Sequence, residues 1–266
     1  MSKDAAVKIS VSRIRTWLEC PYKHHVTYTL GWRPTAVPSE AMAFGLAWHS
    51  AVERWWLTGE ARVPSGEPHQ TAALRRTLTR YVERRQEERG ARIAELPFEA
   101  ELEGMAFVGR IDLLLQRGGR WWVVEHKTTS EDVTPGAIWW QTLGLDYQPA
   151  IYMLAARAMG HDPAGMIYDV LGKPGIRPRR GESVDDYGAR FAAAATLATR
   201  EVCVGGDRLQ AALDNVGEIV DNLSCRAQNP AACFRFGRCS MVDHCHYGAD
   251  LGPPQFTRGE ERCLKK

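Results

Sequence analysis

The sequence predicts an α/β fold in which a central mixed β-sheet is flanked by helices. Its 266 residues are 44% hydrophobic and 25% charged, which is ordinary for a globular chain with a sizeable core. Helical spacing of apolar residues gives way at Phe98 to β-like runs that continue to Thr129. A helix-like run and a further strand-like run follow, and together these patterns make an α/β unit.

Composition excludes several functional classes. No run of about 18 apolar residues, the length that a membrane helix needs, occurs in the sequence, and its start carries no apolar signal region. We therefore expect a cytoplasmic protein without a membrane partner. The 34 lysines and arginines nearly balance the 32 aspartates and glutamates, so the net charge of +2 neither favours nor excludes nucleic acid. Arg177, Arg179 and Arg180 form the best local patch for phosphates, although a solvated loop explains them equally well.

Helical patterns precede the strands. Ser12 is suited to cap a short helix that Cys20-Pro21 ends, because proline disfavours helical geometry in the residue before it. Apolar periodicity at residues 40–57 predicts a second helix. A third helix, at residues 70–89, is dense in arginine and glutamate. We expect it to present a solvated face, and the alternative is that it follows the phosphates of a nucleic acid.

The β-like runs are separated by turn signals. They predict three antiparallel strands, with Gly118-Gly119 as the hairpin turn between the last two. Residues 146–159 then predict a helix, residues 165–171 a returning strand, and residues 184–223 a helical region. The three runs are FEAELEG, AFVGRIDLLLQ and RWWVVEHKTT.

Two carboxylates are expected to meet across this hairpin. A two-residue turn fixes the pairing of its strands, and this register places Asp112 opposite Glu125, with β-carbons about 5 Å apart on one face. Two carboxylates at that distance repel unless a cation lies between them. Because strand side chains alternate, Lys127 shares the face of Glu125, whereas His126 offers only its backbone carbonyl there.

This set of groups suits metal-assisted hydrolysis of a phosphodiester. Oxygen ligands favour Mg²⁺ or Mn²⁺, which accept phosphate oxygens, and Lys127 is suited to hold or deprotonate the attacking water. The alternative is that Asp112 and Glu125 are exposed strand residues with Lys127 as their surface partner. The ILLL and WWVV runs argue against it, since they indicate strands buried on both faces, where an unpaired charge is costly.

At these residues the sequence resembles the PD-(D/E)XK nuclease superfamily, and within it the RecB-type iron–sulfur exonuclease group with its AddB-like, CRISPR-adaptation and phage relatives. An upstream helical histidine matches His49 in FGLAWHSAVE, and a later helix carries Gln148 and Tyr152 four residues apart. The resemblance implies a restriction-endonuclease-like core. It further implies metal binding by His49, Asp112, Glu125 and the His126 carbonyl, catalysis by Lys127, and support of that lysine or of a DNA phosphate by Gln148 and Tyr152.

Of the seven cysteines, Cys20 lies near the N-terminus, Cys203 is isolated, and five lie in the last 42 residues. Late cysteines follow a C-x5-C-x5-C spacing, which is wider than zinc knuckles use, whereas an iron–sulfur cluster tolerates wide gaps because each iron has its own coordination site. Burial as small hydrophobic side chains is the plain alternative. The resemblance implies that a structural [4Fe-4S] cluster joins the ends of the chain, with Cys225 as the main competitor for a ligand position. The implied ligands are Cys20, Cys233, Cys239 and Cys245.

These features predict an N-terminal segment at 1–40 that supplies one cluster cysteine, a nuclease core at 41–205, and a cysteine-rich segment at 206–266. The implied function is a metal-dependent DNA exonuclease acting on single-stranded or duplex ends, with a helicase or recombination protein and a second copy of the chain as conceivable partners. The sequence has no G-x-x-x-x-G-K-[ST] motif, so we expect no ATP-driven unwinding of its own. Two alternatives stay open: a DNA-end-binding module that hydrolyses little, and a zinc-binding regulatory protein that uses Cys233, Cys239, Cys245 and His246.

Overall fold

The computed structural model of the chain describes residues 7–35, 39–88, 90–235, 237–252 and 255–258. Cys263 and parts of the predicted segments 1–40 and 206–266 lie outside these residues. The helices are α1 (Val11–Glu19), α2 (Pro21–His24), α3 (Glu40–Thr58), α4 (Pro68–Arg85), α5 (Ile138–Leu145), α6 (Gln148–Ala158), α7 (Val184–Ala194), α8 (Gly206–Asp221) and α9 (Val242–Tyr247). The strands are β1 (Trp32–Pro34), β2 (Arg92–Leu102), β3 (Met105–Arg117), β4 (Arg120–Thr129), β5 (Pro163–Gly172), β6 (Thr196–Val202) and β7 (Phe256–Arg258).

Five strands form one mixed sheet in the order β2-β3-β4-β5-β6. β3 and β4 pair antiparallel, β4 and β5 parallel, and β5 and β6 antiparallel. A parallel pair needs a long crossover, which α5 and α6 supply between β4 and β5. The predicted α/β class with a central mixed sheet is therefore confirmed. α6 was expected at residues 146–159, whereas α5 was not predicted.

The hairpin between β3 and β4 has the predicted register. Gly118 and Gly119 both have positive φ angles, of 58° and 76°, as a type I′ turn requires. Arg117 pairs with Arg120, and the pairing continues in step to Leu113 and Val124. The next position along each strand is Asp112 and Glu125.

The prediction that residues 184–223 are helical throughout is wrong in its middle. α7 ends at Ala194, and the chain then forms β6 as an edge strand on β5. Met166 pairs with Val202 and Gly172 with Thr196, so the pairing runs the full length of β6. The alanine-rich run had suggested continued helix, but hydrogen bonding to the free edge of β5 overrides that local propensity.

The helices before the sheet differ from prediction in two details. Ser10, not Ser12, caps α1, because its extended backbone lets its side chain accept the Arg13 backbone N–H at 3.2 Å. Cys20 ends α1 as expected, but Pro21 then begins α2, since proline is tolerated at the first helical position.

α4 does not simply present a solvated face. Leu74, Leu78 and Tyr81 lie buried along one side of the helix, and Arg85 is 5% exposed. Together with buried side chains of α3 and α7 they form the core on one side of the sheet, against Leu113 of β3 and other strand residues. The prediction holds only for the opposite side of α4, where Arg75 and Arg76 are exposed.

The chain divides into two compact units, each built from separate segments. The terminal unit comprises Met1–Val37, Pro97–Gly109 and Gly205–Lys266, and the sheet unit comprises Pro38–Leu96 and Arg110–Val204. Their boundaries fall within β2 and β3. Within the described residues, none of the helices combines the length and apolar character needed to cross a membrane.

Candidate active site

The two predicted carboxylates lie at the end of the β3–β4 pairing that is farther from the hairpin turn. Asp112 follows the last pair of the hairpin register, and its Oδ2 accepts the backbone N–H of His126 at 3.0 Å. Glu125 is buried, with 5% of its surface exposed. The Asp112 side chain thus bonds to the backbone of the strand that carries Glu125, which keeps both acids at one place.

Burial and the repulsion between the two carboxylates change the pKa of Asp112. Desolvation raises the pKa of Asp112 well above its usual range, and the negative charge of Glu125 raises it further, against the opposing effect of the His126 N–H. Glu95, which the sequence reasoning missed, adds a third negative charge and is itself paired with Arg110 at 2.9 Å. Glu95 has a φ of 51°, an uncommon value for a residue other than glycine.

Lys127 lies on the same face as Glu125, as the alternation of β4 predicted. Its Nζ donates to Glu125 Oε1 at 2.5 Å and to Gln148 Oε1 at 3.0 Å. Gln148 is the first residue of α6, and Tyr152 lies one helical turn further on and is 9% exposed. The crossover between β4 and β5 therefore brings a glutamine from a distant helix to the lysine.

α3 contributes His49 to the same place. Its Nδ1 lies 3.6 Å from Asp112 Oδ2. Burial is the main cause that lowers the pKa of His49, which favours the neutral imidazole, the form in which histidine binds metals. Asp112 accordingly stands between a histidine of α3 and the backbone of β4.

The His126 side chain points away from the acids, as predicted, and enters a buried polar network that the sequence reasoning missed. Its Nδ1 lies 3.7 Å from Asp169 Oδ2 on β5, and burial lowers the pKa of His126 to about 4. Asp169 pairs with Arg85 of α4 at 2.9 Å, and Arg85 also donates to Thr199 of β6 at 2.8 Å. A charged residue within the apolar run of β5 was the available signal.

Whether these residues suit a divalent ion can be judged from their donors. In the part of the chain that the structure describes, no three His, Cys, Asp or Glu side chains are grouped to hold a metal. Glu125 Oε2 is nonetheless a buried oxygen with no hydrogen-bond partner in this part of the chain, and Asp112 carries an elevated pKa beside it. A cation would satisfy both features, so the oxygen donors fit Mg²⁺ or Mn²⁺.

Within the terminal unit, four cysteines converge on one cavity of about 510 Å³. The cavity is lined by Cys20, Cys233, Cys239 and Cys245. Burial raises the pKa of the Cys245 thiol, and the charges of Cys20, Cys239 and Cys233 raise it further. Within the described residues these four side chains are not grouped closely enough to hold a metal, although they share the lining of one cavity.

The lining of this cavity also distinguishes among the alternative metal ligands, Cys225 for a cluster and His246 for zinc. Cys225, the main competitor, is not among the residues that line the cavity, whereas His246 is. His244 has both ring nitrogens engaged, one with the Tyr22 hydroxyl at 2.7 Å and one with the Ala249 carbonyl at 2.6 Å. These two contacts fix the orientation of the His244 ring, which stacks on Tyr22.

Comparisons with known proteins concern the family and the fold of this chain. A family model described as the PD-(D/E)XK nuclease superfamily matches residues 8–246. The chain resembles the crystal structure of a predicted exonuclease from Eubacterium rectale with 15% identity and a TM-score of 0.51, over 93% of this chain and 90% of that one. SSO0001 aligns over 97% of this chain and 90% of its own, with 13% identity and a TM-score of 0.37. No curated protein matches the sequence significantly. At these identities the structural likeness speaks for the fold alone.

Proposed function

We propose that this chain, which belongs to the PD-(D/E)XK nuclease superfamily, is a metal-dependent exonuclease that hydrolyses DNA from an end. The observation that carries the proposal is the contact of Lys127 Nζ with both Glu125 and Gln148, beside Asp112. An acid pair with a lysine on the same strand face supplies the groups that phosphodiester hydrolysis requires.

His49, Asp112, Glu125 and the His126 carbonyl would hold Mg²⁺ or Mn²⁺. The ion would offset the negative charge that develops on the phosphate oxygens. Lys127 would position the attacking water, whose oxygen forms the new bond to phosphorus as the ester bond breaks. Gln148 and Tyr152 would steady the lysine or a phosphate, and the Gln148 bond to Lys127 supports this role.

The same proposal includes a [4Fe-4S] cluster in the terminal unit. Its support is the convergence of Cys20, Cys233, Cys239 and Cys245 on one cavity. The cluster would be structural, because hydrolysis transfers no electrons and thiolate binding energy can couple directly to folding. Absorption near 400 nm in protein purified anaerobically distinguishes this cluster from the zinc alternative, since zinc is colourless.

The superfamily supports DNA as the substrate, and the name of the Eubacterium rectale structure supports the exonuclease activity. A role in DNA recombination, repair or processing is part of the proposal. The segment boundaries at residues 40 and 205 stay predictions, as do a cytoplasmic location, a helicase or recombination partner and self-association. Without an ATP-binding motif in the sequence, any unwinding would come from another protein.

The test compares end-labelled linear and closed circular single-stranded DNA, incubated with Mn²⁺ and iron-loaded protein. We expect loss of the linear DNA alone, and a decrease in rate of roughly 10²–10⁴-fold for Lys127→Ala. Cleavage of circular DNA would contradict the exonuclease proposal. Absence of cleavage by the wild type on any substrate would favour the DNA-end-binding module.

A further inference from the structure

The segment after β5 concentrates positive charge. We define the arginine loop as residues 173–182, with the sequence KPGIRPRRGE. Arg177, Arg179 and Arg180 are exposed, and none of their guanidinium groups forms a salt bridge in the described part of the chain. The sequence alone could not separate a phosphate-binding patch from a solvated loop.

The conformation of the arginine loop is fixed by α7. Arg190 donates two hydrogen bonds to Glu182, both at 2.7 Å, and one to the Arg177 carbonyl at 2.9 Å. Glu182 also accepts the Arg179 backbone N–H at 2.8 Å. These bonds, with the Arg190 guanidinium as the main cause, lower the pKa of Glu182 to about 2. The only acid of the loop is thus neutralised by Arg190, which leaves the three exposed arginines as net positive charge.

Two other arginines of the sheet unit, Arg80 and Arg84, bind backbone carbonyls of the protein itself. Arg80 donates to the carbonyls of Ala192 and Ala195, and Arg84 donates to the Leu197 carbonyl. Their side chains cover the end of α7 and the start of β6, where backbone oxygens would otherwise lack donors. Among the described residues, the three exposed side chains of the arginine loop make no such contacts and remain available for a ligand.

The arginine loop begins at the C-terminal end of β5, the strand that pairs in parallel with the strand of Lys127. Lys127 pairs with Val170 of β5, and Lys173 follows three residues later, about 10 Å further on and just past the end of that strand. The Lys173 Nζ lies 5.4 Å from the centre of the Phe44 ring on α3. Phe44 precedes His49 by five residues, which is about 7.5 Å along that helix.

We infer that the arginine loop binds the sugar–phosphate backbone of the nucleic acid strand, a few nucleotides from the bond that is cut. The inference rests on the proposed function. Arginine suits this role because its planar fork bonds two phosphate oxygens at once. Because the bonds of Arg190 already hold the loop backbone, binding does not have to order it.

The direct test measures affinity without cleavage. A fluorescently labelled single-stranded oligonucleotide is titrated, without divalent ions, with the full-length protein at several NaCl concentrations. The loop variant is Arg177→Ala/Arg179→Ala/Arg180→Ala. The control variant, Arg62→Ala/Arg75→Ala/Arg76→Ala, removes the same charge from exposed positions of the same unit.

We expect the loop variant to bind at least tenfold more weakly, and its plot of log Kd against log NaCl to be shallower by about 2, as for three lost phosphate contacts. The control variant should stay within about twofold of wild type, and both variants should melt as wild type does, because every altered side chain is exposed. Equal weakening of both variants would show a diffuse charge effect and overturn the inference. Unchanged binding by the loop variant would overturn it as well.

A second measurement separates this inference from the proposed function. The p-nitrophenyl ester of thymidine 5′-phosphate has a single phosphate, at the bond that is cut, and therefore offers the arginine loop no further backbone phosphate to bind. The loop variant should hydrolyse it as wild type does but show a higher KM for oligonucleotides. A wild type that hydrolyses neither substrate would refute the proposed function, and the binding measurements would then still decide the role of the loop. An unchanged KM of the loop variant for oligonucleotides would refute the inferred role of the arginine loop.

Discussion

The acid–lysine site and the cysteine cavity are built on different kinds of structure. Asp112, Glu125 and Lys127 stand on long paired strands, so the ladder sets their separation. By contrast, Cys20 lies in the break between two helices, and Cys245 stands on a six-residue helix. Strands position side chains without help from a ligand, whereas short turns hold a constellation less firmly.

The apolar cores beside the two regions differ in the same direction. Beside the strands, buried side chains of α3, α4 and α7 form a large cluster that includes Trp48, Trp55 and Leu113. Beside the cysteines, the buried apolar cluster of the described residues consists of Val26, Met241 and Phe256. The sheet unit can therefore preorganise its site, whereas the proposed cluster would add to the stability of the region around the cavity.

The largest effect is expected from a substitution that disrupts the acid–lysine site and leaves the cysteine cavity intact. Asp112→Asn should slow DNA cleavage by roughly 10³–10⁴-fold, about 4–5 kcal/mol, because an amide holds a cation poorly. Iron content should stay at the wild-type level. The rate of single-stranded DNA cleavage and the iron per chain measure the two effects. As control, Asp185→Asn changes an exposed carboxylate of α7, and a loss of activity there would contradict the assignment.

The converse change removes a cysteine. Cys239→Ala should abolish absorption near 400 nm and destabilise the protein by about 4 kcal/mol, the effect of losing a ligand present at a thousandfold over its dissociation constant. Cys225→Ala is the matched control and should keep its colour, because Cys225 does not line the cavity. A brown, stable Cys239→Ala protein would exclude this cysteine as a cluster ligand.

A third change tests the buried network behind the acids. Asp169→Asn removes the buried counter-charge of Arg85 and leaves it Glu88, a less buried carboxylate that it contacts at 2.8 Å. The change should lower the free energy of unfolding by about 3 kcal/mol. The double variant Asp169→Leu/Arg85→Met should recover most of this loss, since apolar pairs replace buried ion pairs well. Urea unfolding measures both values. A double variant as unstable as the single one would show that shape, not charge, matters there.

The smallest effect concerns acid stability, and it compares a buried histidine in each unit. Burial lowers the pKa of both His24 and His126 from 6.5 to about 4. The folded state therefore binds fewer protons than the unfolded state between these values, so stability is complete above pH 6.5 and falls as the pH decreases to 4. We expect each histidine to account for about 1–3 kcal/mol of this fall.

His24→Gln should remove the part of this acid-dependent loss of stability that comes from the terminal unit. Glutamine keeps an acceptor for the Arg13 side chain, which donates to His24 at 3.1 Å. Unfolding free energies between pH 7 and pH 4 should therefore decrease less in this variant than in wild type. An identical decrease in both proteins would assign the acid sensitivity elsewhere.

Much of the proposed site follows from local sequence signals. Gly118-Gly119 sets the hairpin register and hence the neighbourhood of Asp112 and Glu125, and alternation along β4 sets the side of Lys127. β6 was missed because its strand conformation depends on pairing with β5, not on its own composition. The contact of Asp169 with Arg85 was missed for a related reason, since it joins a strand to a helix more than eighty residues away.

The sequence by itself determined the hairpin, the helix of His49 and the superfamily, because turn chemistry, periodicity and ordered motifs are local properties of a chain. Only the tertiary structure decided that Lys127 bonds to Gln148, that Asp169 neutralises Arg85, and that four distant cysteines line one cavity. Such contacts depend on how strands and helices pack over long separations in the chain. Their geometry is therefore set by the whole fold.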